Sequence, residues 1–153
     1  MERRGILRSA QDDKINLMRK VMVFGTFDNL HPGHLDFFAQ AKKYGDYLIV
    51  VVARDINVKK YKGAPPAFSE NARRKIVQKA KNVDKAVLGY KQNRFKIIKE
   101  LKPDVVCLGY DQKMEIEILR QKLIELHVNA QIYRLAPFQP EKYKSSIIKQ
   151  NEK

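Results

Sequence analysis

From Lys20 onward, apolar and polar positions alternate in blocks. Val21, Met22, Val23 and Phe24 form an apolar run that predicts a first buried strand over 20–25. A helix over 33–44 follows, with Leu35, Phe38, Ala39 and Ala41 as its inward stripe and Gly45 as its stop. Tyr47 to Ala53 is almost wholly apolar, the mark of a strand covered on both faces. Residues 55–66 carry Lys59, Lys60, Lys62, Gly63 and two prolines, and read as a long loop of the functional kind. Ser69 caps a helix over 70–82. A short third strand is expected at 86–89, a helix over 93–101 ended by Pro103, and a fourth strand at 104–109. A helix over 113–127 shows Ile116, Leu119, Leu123 and Leu126 at helical spacing, and a fifth strand covers 130–135. A loop with Pro137 and Pro140 then leads to a last short helix beginning near Ser145 or Ser146.

Five strands alternating with helices predict an α/β domain with a parallel sheet and right-handed crossovers. Ligands of such sheets sit at the carboxyl ends of the strands, near the point where strand order reverses. Residues 1–18 depart from the pattern: Arg3, Arg4, Arg8, Asp12, Asp13 and Lys14 surround few apolar residues. The segment reads either as a flexible extension ahead of a domain over 19–153 or as the product of an early start codon, with Met18 then the functional start.

The length of 153 residues fits one compact domain, and 44% hydrophobic residues suffice for a packed core. A formal net charge of +14 favours anionic partners such as nucleotides, phosphorylated metabolites or RNA. The single cysteine, Cys107, excludes an internal disulfide framework and reads as a small buried hydrophobe in the fourth strand. No apolar run approaches a membrane span, and the charged first 20 residues are not a secretory signal. A cytoplasmic location is the default expectation.

The chemistry concentrates after the first strand, in Gly25-Thr26-Phe27-Asp28 followed by His31-Pro32-Gly33-His34. Pro32 suits the first turn of a helix, and a spacing of three puts both imidazoles on one side of that turn. Free backbone N–H groups and the positive end of the helix dipole make the same turn a seat for an anion, foremost a phosphate. The chain has no glycine-lysine phosphate loop, no G-x-G-x-x-G after the first strand and no zinc spacing. His31 and His34 are possible metal ligands without an evident third. No serine or cysteine stands in a nucleophile motif. Attack on the α-phosphorus of a nucleoside triphosphate needs none, because positioning and charge stabilisation supply most of the rate, with Mg²⁺ carried on the triphosphate.

Gly-Thr-Phe-Asp, two residues, then His-Pro-Gly-His resembles the signature of the cytidylyltransferase-like nucleotidyltransferases, and the likeness extends over residues 20–148. Within that superfamily the chain is most similar to the archaeal FAD synthases, which are FMN adenylyltransferases. The supporting stretches are Val52-Ala-Arg-Asp55, Val58-Lys-Lys60, Val83-Asp-Lys-Ala86, Pro103-Asp104, Leu108-Gly-Tyr-Asp-Gln112 and Tyr143-Lys-Ser-Ser-Ile147. The resemblance implies a Rossmann-like, doubly wound, five-stranded parallel sheet and a homodimer. It implies transfer of AMP from ATP, with Mg²⁺ or another divalent cation, to FMN, and no nucleic-acid or membrane partner. It gives His31 and His34 the task of stabilising the pentacovalent α-phosphorus and the leaving pyrophosphate, with Lys60 as a further catalytic cation. Gly25, Thr26 and Phe27 would line the nucleotide, and Asp28 would hold the loop or approach the metal. Lys62 and Arg73 would neutralise phosphates. Gly109, Tyr110 and Asp111 would meet base and ribose, and Ser145 and Ser146 would grip the β- and γ-phosphates.

Glycerol-3-phosphate cytidylyltransferases carry an arginine shortly before the serine/threonine pair; the corresponding position here is Gln139, leaving Arg134 or Lys142 as substitutes. Their tryptophan after Gly-Asp-Asp is also missing, since the chain has none. Both departures count against the alternative, a CTP-dependent cytidylyltransferase acting on glycerol 3-phosphate or a similar phosphorylated alcohol. A non-catalytic RNA-binding module is the remaining class, disfavoured because basic residues are spread along the chain without an RNA-binding motif.

Overall fold

The computed structural model describes residues 14, 15, 17–112 and 116–138. Residues 1–13 of the expected extension, and the last helix with Ser145 and Ser146, lie outside the described residues. The elements run β1 (Lys20–Gly25), α1 (Pro32–Lys42), β2 (Tyr47–Val52), α2 (Asp55–Lys62), α3 (Glu70–Gln78), β3 (Lys85–Leu88), α4 (Lys96–Leu101), β4 (Val105–Leu108), α5 (Ile116–Glu125) and β5 (Gln131–Arg134). All five strands pair in parallel, in the order β3-β2-β1-β4-β5. The order reverses between β1 and β4, which makes the carboxyl end of β1 the switch point.

The two faces of the sheet carry two cores, because side chains along a strand alternate. Val21, Val23, Leu48, Val50, Val105 and Cys107 pack with Phe38 and Ala41 of α1 and Val77 of α3. Met22, Ile49, Val51, Val106 and Leu108 pack with Ile97 and Ile98 of α4 and Leu119 and Leu123 of α5. The near-continuous apolar runs of β1, β2 and β4 are thus explained: both of their faces are covered. At the amino edge, Asp46, Asp104 and Asp84 accept the backbone N–H groups of Arg19, Lys20 and Leu48 at 3.0, 2.8 and 2.8 Å. Cys107 is fully buried, and that burial pushes its thiol up to about 12, so it is chemically inert in the folded state.

The structure corrects several expected boundaries. The segment read as a loop over 55–66 is helical over its first eight residues. Only Val58 of α2 is buried, so no apolar stripe betrays the helix. Its end charges do: Asp55 opens it, Lys59, Lys60 and Lys62 close it, and Gly63 ends it at φ 82°. Helix α1 begins at Pro32 and stops at Lys42, and Leu35 of its expected stripe is 43% exposed. Helix α3 is shorter than expected, and α4 begins three residues later.

Candidate active site

The histidine motif sits where β1 ends and α1 begins. His31 is the helix N-cap, with extended backbone, and its Nδ1 accepts the Gly33 N–H at 3.0 Å. The His31 N–H donates to His34 Nδ1 at 3.4 Å, closing a reciprocal capping box. With Nδ1 accepting from backbone, a neutral His31 ring carries its proton on Nε2, while the His34 ring also hydrogen-bonds the Asn29 backbone. The rings stack at a centroid distance of 3.9 Å and 25° between planes. Gly33 permits this, because a Cβ there would lie 2.9 Å from His31 Cε1.

One expectation is corrected here. The Gly33 N–H is taken by His31 Nδ1, and those of His34 and Leu35 by the His31 carbonyl at 2.9 and 3.2 Å. The first turn of α1 therefore offers an anion its dipole and two imidazoles rather than free backbone N–H groups.

The turn after β1 is built around Phe27, a buried residue at φ 52° whose ring folds back over Gly25. It meets His34 edge-on at 5.4 Å and so fixes one side of the imidazole. A Cβ on Gly25 would lie 2.5 Å from Phe27 Cζ. Gly25→Ala is expected to displace the ring and cost about 1–3 kcal/mol, the usual penalty of overpacking. A urea midpoint unchanged from wild type would show that the turn yields freely.

Asp28 accepts the backbone N–H groups of Ala67 and Phe68 at 2.7 and 2.9 Å. Those two bonds hold its carboxyl below the ordinary carboxylate range. Of its two expected tasks, Asp28 performs the holding of the loop. Arg73 departs from expectation. It is 0% exposed, and its guanidinium donates to the Phe68 carbonyl (3.0 Å), the Thr26 carbonyl (2.8 Å) and Asp55 Oδ1 (2.6 Å). Expected as a phosphate ligand, it is a buried brace joining the β1 exit to α2 and the loop after it. Buried at the start of α3, it can satisfy three acceptors at once because of its planar fork.

Thr26 Oγ1 and the Tyr61 hydroxyl lie 2.6 Å apart. With Tyr61 of α2 turned to Thr26, Lys60 and Lys62 lie about 100° round the helix on either side of it. Both lysines are exposed, and neither is held by a hydrogen bond or ion pair among the described residues. The charge of Lys62 acts on both Asp28 and His34.

Across the switch point, the turn after β4 is braced by residues that motif reading did not place in the site. The Gly109 N–H donates to Gln112 Oε1 at 2.8 Å, and Gln112 Nε2 donates to the Phe24 carbonyl at 2.9 Å. Arg134 Nη1 donates to the carbonyls of Gly109 and Gln112, each at 3.0 Å. Gln112 is present in the Gly-Tyr-Asp-Gln stretch, but only the fold reveals that it ties this turn to β1. Gly109 is buried, while Tyr110 and Asp111 are exposed at the mouth of the site. Gln139 and Lys142, like the serine pair, lie outside the described residues.

His34 has its pKa lowered to about 4, first by burial and then by the neighbouring His31, against a hydrogen bond to the Asn29 backbone and the charge of Asp111 that raise it. The unfolded chain binds this proton near pH 6.5 and the folded chain only near 4. Stability is therefore fully present above about pH 6.5 and falls as pH drops toward 4. The melting temperature is expected to decline across that window in the wild type and to decline less in His34→Asn. Identical slopes for the two proteins would remove His34 as the cause.

Among the described residues, no cluster of three or more His, Cys, Asp or Glu could hold a metal ion. The donor set does not fit a resident metal centre, because Asp28 is spent on backbone and both histidine Nδ1 atoms on the cap. No helix among them is long and apolar enough to cross a membrane.

Comparison with known proteins agrees with this geometry. The cytidylyltransferase-like family matches residues 22–151. A protein of Ferroglobus placidus named FAD synthase is 47% identical over 118 residues, 77% of this chain and 76% of that one. A protein of the same name from Thermoplasma acidophilum is 41% identical over 132 residues, 86% and 92% of the two chains. The crystal structure of a lipopolysaccharide core biosynthesis protein from Thermoplasma volcanium superposes with a TM-score of 0.76 at 40% identity, covering 80% of this chain and 99% of that one. The sheet order, the histidine pair at the switch point and these matches lead to one assignment: the chain belongs to the cytidylyltransferase-like family, beside archaeal proteins named FAD synthase.

Proposed function

We propose that this protein is an FAD synthase, an FMN adenylyltransferase. The observation that carries the reading is the 47% identity over 118 residues to a relative of that name, with further FAD synthases at 41–45%. A phosphate oxygen of FMN attacks the α-phosphorus of ATP in line. The new P–O bond forms as the bond to the β-phosphate bridging oxygen breaks, and pyrophosphate leaves. The divalent cation arrives as part of the triphosphate substrate and neutralises its charge.

The protein's share is positioning and charge stabilisation. His31 and His34, stacked at the head of α1, direct their imidazoles at the α-phosphate oxygens and the leaving pyrophosphate oxygen. Gly25, Thr26 and Phe27 line the nucleotide from the β1 exit. Lys60 and Lys62 supply mobile positive charge from α2, and Ser145 and Ser146 grip the distal phosphates. Gly109, Tyr110 and Asp111 take base and ribose, where the carboxylate accepts a ribose hydroxyl. Arg73 and Asp28 act through the loops they hold. The same reading carries a homodimeric, cytoplasmic enzyme.

The direct test incubates protein with MgATP and FMN and follows FAD and pyrophosphate by chromatography. FAD formation that depends on both substrates is expected. Absence of FAD together with turnover of CTP and a phosphorylated alcohol would move the assignment to a cytidylyltransferase.

A further inference from the structure

We propose that the exposed rings of Tyr61 and Phe68 form the seat of the flavin isoalloxazine. The proposal rests on the FAD synthase reading, since it locates the acceptor of that same reaction. Among the described residues, three large aromatic side chains stay exposed around the mouth of the sheet: Tyr61 at 61%, Phe68 at 46% and Tyr110 at 57%. Tyr110 belongs to the turn after β4, beside Asp111, on the side assigned to base and ribose. Tyr61 and Phe68 belong to the opposite wall, formed by α2 and the loop after it.

Both residues are fastened to the same short turn. The Tyr61 hydroxyl bonds Thr26, and the Phe68 N–H bonds Asp28 at 2.9 Å. Thr26 and Asp28 are two residues apart, so their Cα atoms are separated by no more than about 7 Å. The Phe68 carbonyl is held in turn by the buried Arg73. Phe68 is thus clamped through both of its backbone groups, and Tyr61 through its ring tip. Such anchoring is what an exposed apolar ring needs to act as a preformed platform, because little conformational freedom is then lost on binding.

The charge layout agrees with this placement. Asp111, in the turn after β4, and Lys62, at the end of α2, both act electrostatically on His34. In-line attack places the acceptor phosphate opposite the pyrophosphate, and the lysines flanking Tyr61 provide for an acceptor with a phosphate at one end. The planar, largely apolar end of FMN then meets the aromatic rings of the same wall. Stacking of a planar heterocycle on an aromatic side chain is sequence-tolerant but strong enough to set an affinity.

The test measures FAD synthesis under separate variation of ATP and FMN, with quenching of flavin fluorescence as a second readout. Tyr61→Leu and Phe68→Ala are each expected to raise the KM for FMN about tenfold and to weaken quenching, with the KM for ATP little changed. Tyr61→Phe keeps the ring but loses the hydroxyl bond to Thr26, and is expected to recover part of the affinity lost in Tyr61→Leu. FAD synthesis with FMN KM values within twofold of wild type in both ring-removing variants would overturn the seat while leaving the FAD synthase reading intact. A rise confined to the KM for ATP would overturn it too. A wild-type protein that makes no FAD would instead remove the reading on which the proposal stands.

Discussion

Replacing His34 with asparagine is expected to lower the turnover of MgATP and FMN by about 10²–10³-fold, the usual loss when one preorganised donor is removed from a developing anion. Asparagine is the informative substitution. His34 Nδ1 accepts the His31 N–H at the head of α1, and an asparagine carbonyl can take over that bond. Alanine would remove cap and donor together, adding a stability loss of about 1 kcal/mol that confuses the result. The KM for ATP should stay within about threefold of wild type, because the interaction is made chiefly in the transition state. The stacked rings act as a unit, so His31→Asn combined with His34→Asn should cost far less than the product of the single losses. Turnover within fivefold of wild type in His34→Asn would take this imidazole out of the reaction.

Arg73→Met is expected to produce the largest loss of stability, about 3–5 kcal/mol, read as a fall in the urea midpoint and in the melting temperature on the order of 10 °C. The physical cause is the group left behind. Removing the guanidinium strands the Thr26 and Phe68 carbonyls and leaves Asp55 without its ionic partner. Arg73→Lys should recover little, since one ammonium cannot reach three acceptors set out for a planar fork. Asp55→Asn keeps a side-chain acceptor but leaves the fully buried Arg73 guanidinium without its carboxylate, so it too should destabilise. An unfolding free energy within about 1 kcal/mol of wild type in Arg73→Met would show that the buried network contributes no net stability.

The contrast between these two residues separates two kinds of legibility. His31 and His34 were readable because spacing, an adjoining apolar strand and Pro32 all act within one stretch of chain. Arg73 reads as a phosphate ligand only through its match to an arginine that the resembled family carries at the start of this helix. Nothing local reveals that its partners come from residues 26, 55 and 68. Asp28 had two possible tasks, and its choice rests on backbone N–H groups about 40 residues away. Helix α2 was hidden for a different reason: it buries one side chain, so the helical period has almost nothing to print itself on.

The alternation of strands and helices, the apolar runs that require a parallel sheet covered on both faces, and the histidine pair at the first strand-to-helix junction are all legible along the chain. Each of these is a consequence of local periodicity or short spacing, which the chain carries wherever it folds. That the first turn of α1 consumes its own N–H groups, that Arg73 is a brace, and that Tyr61 and Phe68 stand fastened beside the site emerge with the folded arrangement alone. Those outcomes depend on which distant carbonyls, carboxylates and rings the sheet order β3-β2-β1-β4-β5 brings within hydrogen-bond reach, and no periodicity along the chain encodes such distances.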